Sequence, residues 1–133
     1  DGVVVCAIGD VAFFHDQNGL LWSREADAPV VFVLIDNDGG GIFHMLPVAD
    51  HEPAFTNFFA TPHGLDLSHA AEQHGLDFAD AEVADLPSTL RGCVARGRSA
   101  VVRVRTDRAA NQARRAEVAA DVVRAVRQVL GVQ

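Results

Sequence analysis

Two short runs of β-branched and apolar residues, Gly2–Ile8 (GVVVCAI) and Val30–Ile35 (VVFVLI), constrain everything that follows them. Neither alternates apolar with polar, so each reads as a strand covered on both faces, which is the pattern of a parallel sheet. Parallel neighbours need a crossover, and the stretch between the runs supplies one. Asp16 is placed to cap a helix, Leu20, Leu21 and Arg24 follow at helical spacing, and Pro29 reopens the chain. The start of the chain therefore predicts a βαβ unit.

The rest extends the same plan. Asp36-Asn37-Asp38-Gly39-Gly40-Gly41 must be a loop, and residues 48–64, rich in Pro, His and Phe, read as irregular with one helical turn near Phe55–Phe59. Asp66 to His74 reads as a capped helix ended by Gly75, a short strand is expected near Phe78, and Glu82 to Ala95 reads as a helix with Pro87 near its start. In Ser99–Arg105 the valines and arginines alternate, which predicts a strand at or near a sheet edge. Asp107 then caps a last helix with an apolar stripe of Ala119, Val122, Val123, Val126 and Leu130. The fold class expected is α/β, an open, mainly parallel sheet with helices on both faces, forming one domain over residues 1–133. The start at Asp1-Gly2, without Met or leader, reads as a cut chain.

Charge is distributed unevenly. The net charge is −7, there is no Lys, and all 11 basic residues are Arg. Residues 1–90 hold 15 Asp and Glu against Arg24 alone, whereas residues 91–133 hold 10 Arg against three acids. The acidic body argues against nucleic acid as a partner, and no apolar run is long enough for a membrane span. Cys6 and Cys93 read as buried small hydrophobes, in keeping with a reducing cytoplasmic location.

In parallel sheets ligands bind beyond the carboxyl ends of strands. Gly9-Asp10 lies past the first strand, and Asn37-Asp38-Gly39 past the second. Carboxylate, carboxamide and carbonyl oxygens beside the amides of Val11 to Phe13 describe a Mg²⁺-diphosphate site, with three glycines letting backbone approach the same group. The plain structural alternative is that Asp10 caps a turn and the glycines merely form a flexible loop.

The words GDVAFFHDQNGL (9–20), DNDGGGIFHMLP (36–47) and FATPHGLDLSHAA (59–71) resemble one family of thiamine diphosphate enzymes. It is the menaquinone-pathway 2-succinyl-5-enolpyruvyl-6-hydroxy-3-cyclohexene-1-carboxylate synthase family, MenD. The resemblance spans nearly all of this chain, but only the C-terminal diphosphate-binding domain of that three-domain enzyme. It implies thiamine diphosphate and Mg²⁺ as cofactors, with Asp10, the Asn37 side chain and the Gly39 carbonyl as metal ligands. It places Gly9, Val11, Ala12, Gly40, Ile42 and Phe43 against the cofactor, and Phe43 and Leu46 at the substrate pocket. It further implies 2-oxoglutarate and isochorismate as substrates, a homodimer or homotetramer, and an activating Glu on the N-terminal domain of a second subunit. Two departures stand out: Ala12 where the family often has Ser, and Asp38, whose charge beside a diphosphate is unfavourable unless it points away or pairs with Arg. Another thiamine diphosphate-dependent 2-oxoacid decarboxylase or synthase, and a non-catalytic module retaining the fold, are the alternatives.

Other constellations carry less. His74 falls on an apolar stripe and reads as a core histidine, His63 as loop architecture, and His15 as a neighbour of the diphosphate loop. His44, beside Phe43, is the histidine placed nearest the proposed pocket. No HExxH, zinc spacing, nucleophile elbow or Walker loop occurs. Phe13, Phe14, Phe55, Phe58 and Phe59 lack flanking basic residues and read as core or interface.

Overall fold

A computed structural model describes residues 2–132. Its sheet contains β1 (Val4–Gly9), β2 (Val30–Asp36), β3 (Asp77–Asp80) and β4 (Ala100–Arg105), in the spatial order β1-β2-β4-β3, all parallel. Gly9 pairs with Ile35, so the two loops that follow β1 and β2 emerge side by side at one end of the sheet.

Helices cover both faces, as the continuous apolar runs require. On one face Phe13 from α1 (Asp10–Asp16) packs with Leu20, Leu34, Val101 and the buried residues of α2 (Ser68–Gln73). On the other, Cys93 from α3 (Leu86–Arg96) packs with Val31, Ala100 and Val102, flanked by Leu86 and Leu90. Leu34 and Val101 face one layer while Val31 and Val102 face the other, so neither face of the central strands needs polar residues. Full burial of such side chains contributes about 1.5–3 kcal/mol each.

Several elements differ from expectation. The first helix does not begin at Asp16; it begins at Asp10, directly off β1, and Asp16 is its last residue. Residues 17–24 form a 3₁₀ segment instead, because Asn18-Gly19 disfavours α-helix interior; it is pinned by Leu20 and by the Ser23 hydroxyl, which donates to the Leu20 carbonyl at 2.6 Å. The helix expected from Glu82 starts only at Leu86, since Pro87 suits the first turn and not an interior position. The helical turn near Phe55–Phe59 is a π-type turn over Thr56–Ala60.

β4 is not an edge strand. It lies between β2 and β3, and Arg103 is only 4 % exposed. Alternation of Val with Arg is compatible with an interior strand here because the guanidinium is met by acids: Asp80 takes two hydrogen bonds at 2.6 and 3.0 Å, Asp66 takes one at 3.0 Å, and Phe78 presents its ring 5.0 Å away. Arg105, at the end of the strand, is exposed.

The last helix, α4 (Arg108–Leu130), is capped by Asp107, whose Oδ1 accepts from the Ala110 amide at 2.6 Å. Its first turns pack on residues 41–45. The stripe of Val122, Val123, Val126 and Leu130 is exposed rather than buried, because no described element reaches it. No described helix is long and apolar enough to cross a membrane.

Candidate functional site

Asp10 is the centre of the loop edge. Its position at the exit of β1 makes it 2 % exposed, although it is a carboxylate. Burial of a charge requires compensation, and here most of it is backbone. Oδ1 accepts from the Val11 amide at 2.8 Å, while Oδ2 accepts from the amides of Gly39 at 2.8 Å and Asn37 at 3.2 Å. The β1–β2 register brings these donors there. Among the described residues the one side chain that ion-pairs with Asp10 is His63, its Nε2 at 3.1 Å from Oδ2.

Beside it, the Asn37 Oδ1 atom is buried with no hydrogen-bond partner among the described residues. An unpaired buried acceptor next to a buried carboxylate without Arg or Lys is a donor set that suits a hard cation. Asp36 is also buried and spends Oδ1 on the Asp38 amide; ligand atoms of Asp10, Asp36 and His63 all lie within 4.8 Å of one another. The Gly39 carbonyl, expected as a ligand, accepts from the Gly41 amide at 2.9 Å. The same loop borders a cleft of about 260 Å³ lined by Asp36, Asn37, Asp38, His63, Gly64, Leu65, Arg105 and Thr106.

The glycine run has a local cause. A Cβ on Gly39, whose φ is +126°, would sit 2.2 Å from the Ala60 carbonyl oxygen; one on Gly40 would sit 2.2 Å from that of Phe59; one on Gly41 would press on the Asn37 amide at 2.7 Å. Backbone does approach something closely, but that something is the 59–61 segment of the same chain, sealed by the Gly40 amide donating to the Ala60 carbonyl at 2.7 Å. By contrast, a Cβ on Gly9 would meet nothing within 4 Å.

Asp38 turns away from the edge. With φ +60° it directs its carboxylate to the amides of Gly64 and His63, at 2.7 and 3.0 Å. The Gly64 hydrogen bond, helped by the His63 amide and by the nearby Arg108 charge, holds this acid below the usual carboxylate range. Arg108 donates through Nη1 to the carbonyls of Asp38 and Ala60. The carboxylate of Asp38 is thus held by the 63–64 turn, while Arg108 reaches its carbonyl and not its carboxylate.

The remaining residues divide. Val11, Ala12, Ile42 and Leu46 are exposed around the edge, and Phe43, also partly open, stacks edge-on to Phe59 with centroids 5.7 Å apart. His44 does not face them. Its ring packs edge-on to Phe55 at 4.7 Å and its Nε2 is buried with no hydrogen-bond partner among the described residues. His15 sits at the far end of α1, exposed and paired with Asp16. His74 is buried under α2 as expected. The residue that sequence reasoning undervalued is His63. Its signal was the Thr61-Pro62-His63-Gly64 word, where a left-handed Thr61 (φ +38°) and Gly64 (φ +59°) turn the chain so that the imidazole enters the site.

A parallel sheet whose first two strand ends carry a buried Asp and an Asn oxygen unpartnered among the described residues fits a cofactor-binding domain, and its match to a family model gives the thiamine diphosphate class. The family described as "Thiamine pyrophosphate enzyme, C-terminal TPP binding domain" matches residues 1–104, and the chain belongs to that family. Within it, the chain is similar to 2-succinyl-5-enolpyruvyl-6-hydroxy-3-cyclohexene-1-carboxylate synthases: that of Roseiflexus sp. (strain RS-1) is 41% identical over 116 residues, covering 86% of this chain and 20% of the relative. That of Salinibacter ruber is 45% identical over 130 residues, covering 95% of this chain and 21% of the relative. The chain thus spans about a fifth of the length of these relatives. Among solved structures, the Rhodococcus jostii RHA1 thiamine diphosphate-dependent 4-hydroxybenzoylformate decarboxylase shares the fold, with a TM-score of 0.60 at 23% identity over 78% of this chain and 20% of that one.

Proposed function

We propose that this chain is the diphosphate-binding C-terminal domain of a three-domain, menaquinone-pathway carboligase. In that reading the full-length enzyme decarboxylates 2-oxoglutarate and transfers the remaining four-carbon succinyl unit to isochorismate. Identity of 41–45% to synthases of that name, over 86–95% of this chain, supports the substrate assignment over other members of the class. The observation that carries the metal assignment is the unpaired, buried Asn37 Oδ1 beside buried Asp10.

In this reading Asp10, Asn37 and the Gly39 carbonyl hold Mg²⁺, which anchors the diphosphate. Gly9, Val11 and Ala12 would contact the diphosphate, and a Cβ at Gly9 would meet no atom of the described residues within 4 Å. Gly40, Ile42 and Phe43 border the cofactor, and Phe43 and Leu46 line the substrate side, where apolar surface excludes water. Thiamine diphosphate, when bound, supplies the electron sink for decarboxylation; this domain orients it and offsets its charge. The activating Glu belongs to the N-terminal domain of a second subunit, in a homodimer or homotetramer located in the cytoplasm.

The test uses the full-length protein. Calorimetry should show Mg²⁺-dependent binding of thiamine diphosphate, and Asp10→Asn, which keeps the side-chain shape and loses the charge, should abolish it. Product analysis with 2-oxoglutarate and isochorismate should yield the succinyl adduct. Release of the bare decarboxylation product alone would favour a 2-oxoacid decarboxylase, and no cofactor binding at all would favour a non-catalytic module.

A further inference from the structure

The geometry points to His63 as a positioning residue for the metal edge: it fixes the Asp10 carboxylate so that one oxygen, Oδ1, is left for a divalent cation. The inference rests on Asp10 being a metal ligand, as proposed above.

The protonation pattern of His63 can be read from its partners. The Leu65 amide donates to Nδ1 at 3.0 Å, so Nδ1 is an acceptor and the ring proton lies on Nε2. Nε2 therefore donates to Asp10 Oδ2 at 3.1 Å. The ring is held from both sides, its backbone amide is tied to Asp38 Oδ1 at 3.0 Å, and its side chain is 16% exposed.

The two oxygens of Asp10 are then unequal. Oδ2 receives three donors, from Asn37, Gly39 and His63, which exceeds its two lone-pair directions. Oδ1 receives only the Val11 amide, so it retains acceptor capacity. The backbone donors are present whatever the side chain, proline excepted. His63 is the one side chain among the donors, and it reaches Asp10 from 53 residues away in sequence. It sets the rotation of the carboxylate and couples the 61–65 turn to the β1 exit. Groups that orient a ligand in this way are generally worth 10–100-fold in metal affinity.

The experiment measures Mn²⁺ binding to the full-length protein in the presence of thiamine diphosphate, by the free-ion electron paramagnetic resonance signal. His63→Ala should weaken Mn²⁺ by about 10–100-fold. His63→Phe, which keeps a ring but has no donor, should weaken it equally, and His63→Gln, whose amide donates from a similar reach, should recover most of the loss. Wild-type affinity in the folded Ala or Phe variant overturns the inference, as does a Gln variant as weak as Phe. Asp10→Asn is the reference. Unchanged Mn²⁺ affinity in that variant would sink the metal-edge reading itself, whereas its loss together with an unaffected His63→Phe would sink only the role of His63.

Discussion

At the residue scale, the site is built by exclusion as much as by contact. Gly39 adopts a left-handed φ of +126° and lies where any side chain would strike the Ala60 carbonyl. Gly39→Ala is therefore expected to cost about 1–3 kcal/mol from overpacking, plus the cost of an unfavourable φ. Chemical denaturation should record the lowered midpoint, and cofactor binding should weaken with it, because the Gly39 amide is also a donor to Asp10. Gly64→Ala meets no atom within 4 Å and should cost only its φ preference. The contrast separates close approach from conformational freedom as the reason for a glycine.

At the element scale, the Arg103 cluster ties β4 to β3 and to the turn before α2. Asp66 is lowered to about 2, first by the hydrogen bonds from Ser68 and then by Arg103, and Asp80 is lowered chiefly by its hydrogen bonds to Arg103. Carboxylates depressed in the folded state stabilise it above their unfolded pKa and lose that contribution as pH falls through the folded value. Stability should thus decline between about pH 4 and pH 2, and Arg103→Met should flatten that decline by removing the Asp80 share while Ser68 preserves much of the Asp66 share. Urea melts at a series of pH values give the slope; an unaltered slope in the variant would assign the acid sensitivity elsewhere. Leu34→Ala, at the centre of β2, should cost about 2–5 kcal/mol at any pH.

The same elements show what a sequence reveals. β1 and β2 were legible because two-sided burial leaves continuous apolar runs, and Asp10 and Asn37 because strand ends are where such sheets bind ligands. Arg103 and His63 were not. Alternation in β4 says which side chains share a face, not whether that face meets water or acids from distant segments. His63 enters the site only because the 61–65 turn folds back over the β1 exit, and nothing in local spacing encodes that return. The α4 stripe was legible as apolar, but its exposure depends on what lies against it.

At the scale of the whole molecule, the charge split has a structural counterpart. Four arginines from the basic end of the chain reach back into the acidic body: Arg96 and Arg98 pair with Asp77, Arg103 binds Asp66 and Asp80, and Arg108 donates to the Asp38 carbonyl. The proposed division of labour between domains gives a direct expectation. The 133-residue chain alone, assayed with thiamine diphosphate, Mg²⁺, 2-oxoglutarate and isochorismate, should show no turnover, while the full-length protein turns over. Activity of the isolated chain at comparable rates would show that the site needs no second domain.

The sheet order has a further consequence, for how the domain comes into being. β4 is the last strand to be synthesised, yet it sits between β2 and β3, with Val31 paired to Ala100 on one side and Asp77 paired to the same residue on the other. Until it arrives, β2 and β3 are edges of nothing in common, and Phe32, Leu34 and Phe78 lack the wall that Val101 provides. Such non-local closure slows folding and keeps apolar strands open to misassociation. A ribosome that has released Asp10 and Asn37 has therefore made the proposed ligands but not the site, and a nascent chain stalled before Ala100 should be protease-sensitive and unable to retain thiamine diphosphate.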